Sequence, residues 1–137
     1  MPPAPGPAIA LDVGTAKIGV AYTDAGRRMA FPDRTVLRAG VRRDAEQLAA
    51  LARARGATAL VVGLPDAGGR MERLARQVGD AVGALLALEP QYVDEGYTSA
   101  EARARIEAAG AARRDVDAWA AMVILEAWLA RAAEPPG

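Results

Sequence analysis

The sequence contains no cysteine and no histidine among its 137 residues. Without cysteine there is no disulfide framework and no thiol nucleophile, and without either residue the usual zinc sites are excluded. A Ser-His-Asp triad and histidine general-base catalysis are excluded as well. If the chain is an enzyme, its chemistry must come from carboxylates, hydroxyls, arginine and a hard metal ion such as Mg²⁺ or Mn²⁺.

An excess of charge of either sign is also lacking, because 17 Lys and Arg residues balance 17 Asp and Glu residues. A zero net charge excludes a grossly basic coat protein for nucleic acid. It still allows a nucleic-acid enzyme with a locally basic face around an acidic metal site. Lys17 is the single lysine, and the other 16 basic residues are arginines, which suit bidentate contacts with phosphate.

Long apolar runs are absent, since none approaches the roughly 18 residues of a membrane span. The Pro-rich start has neither the basic nor the apolar region of a signal peptide. We therefore expect a cytoplasmic protein with no membrane contact. Residues 1–7 and 133–137 are expected to be a disordered leader and tail, which leaves residues 8–132 as a single domain of ordinary size.

Hydrophobic periodicity predicts the order strand, strand, strand, helix, strand, helix, strand, helix, helix. The first two strands are joined by a tight connection that is typical of a hairpin. The later strand–helix units favour parallel strands. The sequence thus predicts an α/β domain with a mixed central sheet of about five strands flanked by helices. The predicted strands are 8–14, 17–23, 35–38, 58–63 and 91–95, and the predicted helices are 42–55, 70–88, 98–110 and 115–132.

Two tryptophans lie on the last predicted helix. Trp119 and Trp128 are nine positions apart, which places them about 180° apart around the helix axis. We therefore expect that both cannot face the same core, and that one is partly exposed as an edge aromatic or as a contact with a partner.

Three carboxylates occupy positions that suggest a metal site. Asp12 interrupts an apolar strand, where a carboxylate is costly unless it is paired or bound to metal, although a role in capping the next turn is the alternative. Glu95 ends a short buried strand, where α/β sheets place their sites, but an exposed acidic pair is simpler. Asp117 lies in the first turn of the last helix, where the helix dipole alone favours an acid. Together the three have the composition needed to hold one or two divalent ions for phosphodiester cleavage.

Four blocks of sequence, in order, resemble the YqgF/RuvX family. The resemblance spans residues 9–129, and its blocks are residues 11–21, 61–65, 93–102 and 116–125. The family has an RNase H-like fold, similar to that of the Holliday-junction resolvase RuvC. Its members are described as Holliday-junction resolvases or as the nuclease that matures the 5′ end of pre-16S rRNA.

The resemblance implies that residues 8–132 form an RNase H-like nuclease domain. It implies that Asp12, Glu95 and Asp117 are the catalytic residues and the metal ligands, with Mg²⁺ or Mn²⁺ as the cofactor. The implied enzyme is a hydrolase that cleaves phosphodiester bonds in structured RNA or branched DNA by a two-metal carboxylate mechanism.

Further residues are candidates for contacts with nucleic acid. The resemblance implies that Thr15 and Lys17, in the motif loop, contact a phosphate. Thr98 matches the hydroxyl that follows the acidic strand, although its role as the N-cap of a capping box is sufficient by itself. Arg113 and Arg114 directly precede the helix of Asp117, so they are our first candidates for contacts with the phosphate backbone.

Two departures from the family pattern keep other functions open. Gly96 stands where the family usually has arginine, and the loop after Pro65 is shorter than usual. A non-catalytic module that binds nucleic acid or a partner, and that retains the fold, is therefore the alternative. A third possibility is an ATPase, because Asp12–Thr15 resembles the phosphate loop of the actin and sugar-kinase ATPases. Those enzymes need two such domains around the nucleotide, and this chain supplies one.

The substrate and the oligomeric state are left open by the sequence. A resolvase would need two active sites that face one junction and hence a homodimer. A nuclease that trims an rRNA end needs only one active site, so it could act as a monomer.

Overall fold

The structure, a computed structural model, describes residues 3–65, 69–94, 98–110 and 116–133, with the side chains of 98–103 excepted. The order of strands and helices is the predicted one. Their bounds are β1 Ala8–Val13, β2 Lys17–Thr23, β3 Ala30–Leu37, α1 Val41–Arg55, β4 Ala59–Leu64, α2 Arg70–Leu86, β5 Gln91–Asp94, α3 Thr98–Ala109 and α4 Val116–Ala132.

The strands form one mixed sheet in the order β3-β2-β1-β4-β5. β1 is antiparallel to β2, and β2 is antiparallel to β3. β4 is parallel to both β1 and β5. The predicted α/β class and the five-stranded mixed sheet are therefore confirmed. β1, β4 and β5 all end at the same edge of this sheet, where β2 begins, and we call it the carboxyl edge.

Alternating residues of β1 face two different helical layers. Ile9, Leu11 and Val13 pack in a core cluster with buried residues of α1 and α2. Ala8 and Ala10 pack on the opposite face, against buried residues of α4. Small side chains on this second face allow α4 to lie close to the sheet. The sheet is thus covered by α1 and α2 on one side and by α4 on the other.

The helix α4 is buried over most of its circumference. Seven of its residues are buried. α3 packs against it and carries the buried side chain of Ile106. An ion pair between Arg105 of α3 and Glu126 of α4 joins the two helices. Despite this apolar character, none of the helices among the described residues is long and apolar enough to cross a membrane.

The expectation that Trp119 and Trp128 cannot face the same core is wrong, although the partial exposure expected of one of them is found for both. Both are half-buried and pack against the same cluster between α4 and the sheet. The indole Nε1 of Trp128 donates to Oε1 of Gln91 at 2.8 Å, and the guanidinium of Arg105 lies 6.0 Å from the ring centre of Trp119. Because α4 packs against both α3 and the sheet, residues on opposite sides of the helix can both border the cluster.

Part of the predicted leader makes hydrogen bonds with the sheet region. The N–H of Gly6 donates to the carbonyl of Ala25 at 2.9 Å, and the hydroxyl of Thr58 donates to the carbonyl of Pro5 at 2.7 Å. Arg27 donates from Nε to the carbonyl of Gly6 at 2.9 Å. The bounds of the domain and the disorder of its ends stay predictions.

Candidate active site

The described candidate residues lie at the carboxyl edge of the sheet. Asp12 is the last residue but one of β1, and Asp117 is the second residue of α4. Thr15 lies in the turn that joins β1 to β2, and Lys17 is the first residue of β2. Asp12 and Asp117 are half-buried, whereas Thr15 and Lys17 are exposed.

Other candidates lie outside the described residues. These are Glu95, Arg113 and Arg114, together with the side chain of Thr98. In the sequence, Glu95 directly follows the last residue of β5, Asp94, and Arg114 lies two positions before the first residue of α4, Val116. The roles of these four residues stay predictions.

Gly19 brings the backbone of Asp117 next to Asp12. Gly19 is the partner of Asp12 in the antiparallel ladder between β1 and β2. A Cβ atom built on Gly19 would lie only 1.8 Å from the carbonyl oxygen of Asp117 and 2.2 Å from its carbonyl carbon. Paired residues in an antiparallel ladder project to the same face. The first turn of α4 therefore lies beside Asp12, on the face to which Asp12 projects.

Sequence reasoning did not single out Gly19, although a signal was present. A glycine inside a strand often marks a close approach of another backbone. Gly19 stands between the core residues Ile18 and Val20 and contributes no side chain to either face. The identity of the approaching backbone, however, follows only from the packing of α4.

The side-chain oxygen atoms at the carboxyl edge suit a hard divalent cation. Asp12 and Asp117 supply carboxylate oxygens, the ligands that Mg²⁺ and Mn²⁺ prefer. The described residues contain no group of three acidic side chains close enough to hold a metal, and the third predicted ligand, Glu95, lies outside them.

A buried hydroxyl lies on a neighbouring strand, in the row of cross-strand partners that contains Asp12 and Gly19. Thr35 of β3 pairs with Gly19, which in turn pairs with Asp12. The Oγ1 atom of Thr35 is buried and has no hydrogen-bond partner within the described part of the chain. Buried polar atoms normally have partners, so this row is suited to a further polar group.

The turn after Asp12 is tightly hydrogen-bonded. The N–H of Gly14 donates to the carbonyl of Lys17 at 2.8 Å, and the N–H of Arg38 donates to the carbonyl of Ala16 at 2.9 Å. These bonds order the backbone while the side chains of Thr15 and Lys17 stay exposed. The turn therefore presents a hydroxyl and an ammonium group to solvent close to Asp12.

Sequence comparisons place the chain among known relatives. The family model described as "RuvX: Holliday junction resolvase" matches residues 6–131. The "Putative pre-16S rRNA nuclease" of Anaeromyxobacter dehalogenans (strain 2CP-C) is 38% identical over 133 residues, which cover 91% of this chain and 97% of the relative. A protein of the same name from Thermosynechococcus vestitus is 35% identical, covering 88% of this chain and 85% of its own.

A comparison with solved structures agrees with this relationship. The structure titled "T. thermophilus RuvC in complex with Holliday junction substrate" matches 93% of this chain and 96% of that chain, with a TM-score of 0.58. At 16% sequence identity this likeness shows the fold alone, and it confirms the RNase H-like fold. Because the family model and the relatives both cover most of the sequence, the chain belongs to the RuvX/YqgF family.

Proposed function

We propose that this protein is a metal-dependent nuclease that hydrolyses phosphodiester bonds in structured nucleic acid. We propose that its substrate is the 5′ end of pre-16S rRNA. The Holliday junction is the second substrate to be tested beside it. The relatives named above support the first, and the name of the family model supports the second. The observation that carries the proposal is the close approach of Gly19 to Asp117, because it brings two of the three predicted ligands to one place.

In this proposal the metal ligands come from three separate elements of the fold. Asp12 is held by β1 and Asp117 by the first turn of α4, and Glu95 directly follows β5. These residues would hold Mg²⁺ or Mn²⁺, which when bound lowers the pKa of the attacking water and offsets the charge on the phosphate. Ligands fixed by strands and a helix need little reorganisation during the reaction, which favours catalysis.

The cationic and hydroxyl groups around the carboxylates would bind and orient the substrate. Lys17 and Thr15 are exposed on the ordered turn beside Asp12, where an ammonium and a hydroxyl group can bind one phosphate. We propose that the nucleic-acid backbone on either side of this phosphate is contacted by Thr98, Arg113 and Arg114. Phosphate contacts of this kind position a nucleic acid without reading its sequence.

A side-by-side cleavage assay tests the proposed function. Wild-type protein is offered a fragment that spans the 5′ end of pre-16S rRNA, a four-way DNA junction and an unstructured RNA, each with Mg²⁺, Mn²⁺ or EDTA. We expect cleavage of the pre-rRNA fragment with either metal and none in EDTA, because in the proposed mechanism the metal activates the attacking water. Tight binding of nucleic acid without turnover of any substrate would contradict the proposal and favour a non-catalytic binding module.

A further inference from the structure

A buried ion pair lies next to the turn that joins β1 and β2. The Nε atom of Arg38 donates to Oδ2 of Asp44 at 2.5 Å, and these side chains are 12% and 0% exposed. Burying two charges is costly, and an apolar pair of similar volume is often at least as stable. The pair is therefore weak evidence for a role in stability by itself.

Arg38 holds the turn on both sides of Thr15. Its Nη1 atom donates to the carbonyl of Gly14 at 3.0 Å, and its backbone N–H donates to the carbonyl of Ala16 at 2.9 Å. Thr15 is the residue between these two carbonyls. One arginine thus holds the backbone of the turn that begins two residues after Asp12.

Asp44 in turn fixes Arg38 at the start of α1. Its Oδ1 atom accepts the N–H of Ala39 at 2.8 Å, while Oδ2 accepts the guanidinium. The N–H of Asp44 donates to the carbonyl of Gly40 at 2.9 Å. The ion pair therefore joins three segments, namely the turn after β1, the end of β3 and the start of α1.

We propose that Arg38 and Asp44 are positioning residues for the nuclease reaction. They fix the turn so that Thr15 and Lys17 meet the phosphate that is cleaved beside Asp12, and the inference thus rests on the proposed function. Arg38 is mostly buried and neutralised by Asp44, so it does not bind the substrate itself. Its loss is therefore expected to slow the chemical step and to leave the salt dependence of binding unchanged.

The test is a double variant, Arg38→Met with Asp44→Leu. Removing one partner alone would leave the other charge buried and unpaired, whereas removing both avoids that penalty. We expect the double variant to bind the pre-rRNA fragment within about threefold of wild type but to cleave it at least about tenfold more slowly in single-turnover reactions. A cleavage rate within about twofold of wild type would overturn the proposal.

Arg38→Lys provides a second test that retains the ion pair. A lysine keeps the positive charge beside Asp44 but lacks the planar fork that also reaches the carbonyl of Gly14. We expect this variant to fold and to bind the fragment like wild type, with a cleavage rate between those of wild type and the double variant. A wild-type rate would show that the bond to Gly14 is not needed.

Hydrogen exchange in the absence of substrate separates this inference from the proposed function. We expect the amides of residues 14–17 to exchange at least about tenfold faster in the double variant, with exchange in β4 and α2 unchanged. Unchanged exchange in the turn would overturn the positioning role. If wild type cleaves no substrate, the proposed function fails instead, and exchange still reports whether the pair holds the turn.

An exposed ion pair on the same helix is the matched control. Arg42 and Glu46 of α1 interact at 3.2 Å, with side chains that are mostly exposed. Exposed pairs of this kind contribute little to stability. Arg42→Gln with Glu46→Gln is therefore expected to leave both the cleavage rate and the exchange of residues 14–17 at wild-type values. A matching defect in this control would overturn the specific role of Arg38 and Asp44.

Discussion

Asp12→Asn is expected to lower the single-turnover rate of Mg²⁺-dependent cleavage by at least about 1,000-fold, which corresponds to ~4 kcal/mol of transition-state stabilisation. Asparagine has nearly the same shape as aspartate, so the packing at the end of β1 should persist. Its neutral amide oxygen, however, is a weaker ligand than a carboxylate and does not offset the charge of a divalent cation. The measurement is the cleavage rate with enzyme in excess, with circular dichroism to verify the fold.

Asp24→Asn is the matched control for this prediction, because it makes the same chemical change at the opposite edge of the sheet. Oδ1 of Asp24 accepts the backbone N–H groups of Arg28 and Met29, each at 2.8 Å. The hydrogen bond from Met29 is the largest cause of the lowered pKa of this carboxyl. An asparagine oxygen can accept the same bonds, so we expect a rate within about twofold of wild type. An Asp12→Asn protein that folds and retains more than a tenth of the wild-type rate would contradict the assigned role.

Gly19→Ala is expected to lower the cleavage rate to at least about 100-fold below wild type. Its Cβ would lie 1.8 Å from the carbonyl oxygen of Asp117, so the start of α4 must move away from β2. We also expect a loss of about 1–3 kcal/mol in the free energy of unfolding, as is usual for overpacked sites. Denaturant titration measures the stability, and single-turnover cleavage of the folded variant measures the displacement of Asp117.

Gly26→Ala is the control for Gly19→Ala. Gly26 lies in the turn between β2 and β3, and a Cβ there would lie 3.3 Å from Oδ2 of Asp24, an atom of a side chain at the protein surface. We expect this variant to keep the wild-type cleavage rate. If Gly19→Ala also cleaved at the wild-type rate, the placement of Asp117 beside Asp12 would not matter for the reaction.

The secondary structure was largely predictable because its signals are local. The alternation of Ile18, Val20 and Tyr22 predicted the buried face of β2, and all three belong to the core cluster shared with α1 and α2. The start of β3 was the main difference, since this strand begins at Ala30 and not near residue 35. Pro32 lies within it, and an edge strand tolerates proline because one side of its backbone has no partner strand.

The contacts that shape the candidate site were less predictable, because they join elements that are distant in sequence. No spacing within β2 indicates that α4, about 100 residues later, would approach Gly19. A sequence signal for the buried pair did exist, since Asp44 precedes Leu48 by one helical turn. Both side chains are buried on the same stripe of α1. The arginine that pairs with Asp44 lies outside that helix, and only the folded chain identifies it as Arg38.

The central claim is that three carboxylates from separate elements act as one catalytic site. Residues that act as a unit show strongly non-additive losses, because removing any one of them already disables the site. The direct measurement is the single-turnover rate of Mg²⁺-dependent cleavage for Asp12→Asn, Glu95→Gln, Asp117→Asn and the triple variant. We predict that each single variant loses nearly all activity and that the triple variant is no slower than the slowest single variant. A folded single variant that cleaves the pre-rRNA fragment at more than about a tenth of the wild-type rate would contradict the claim.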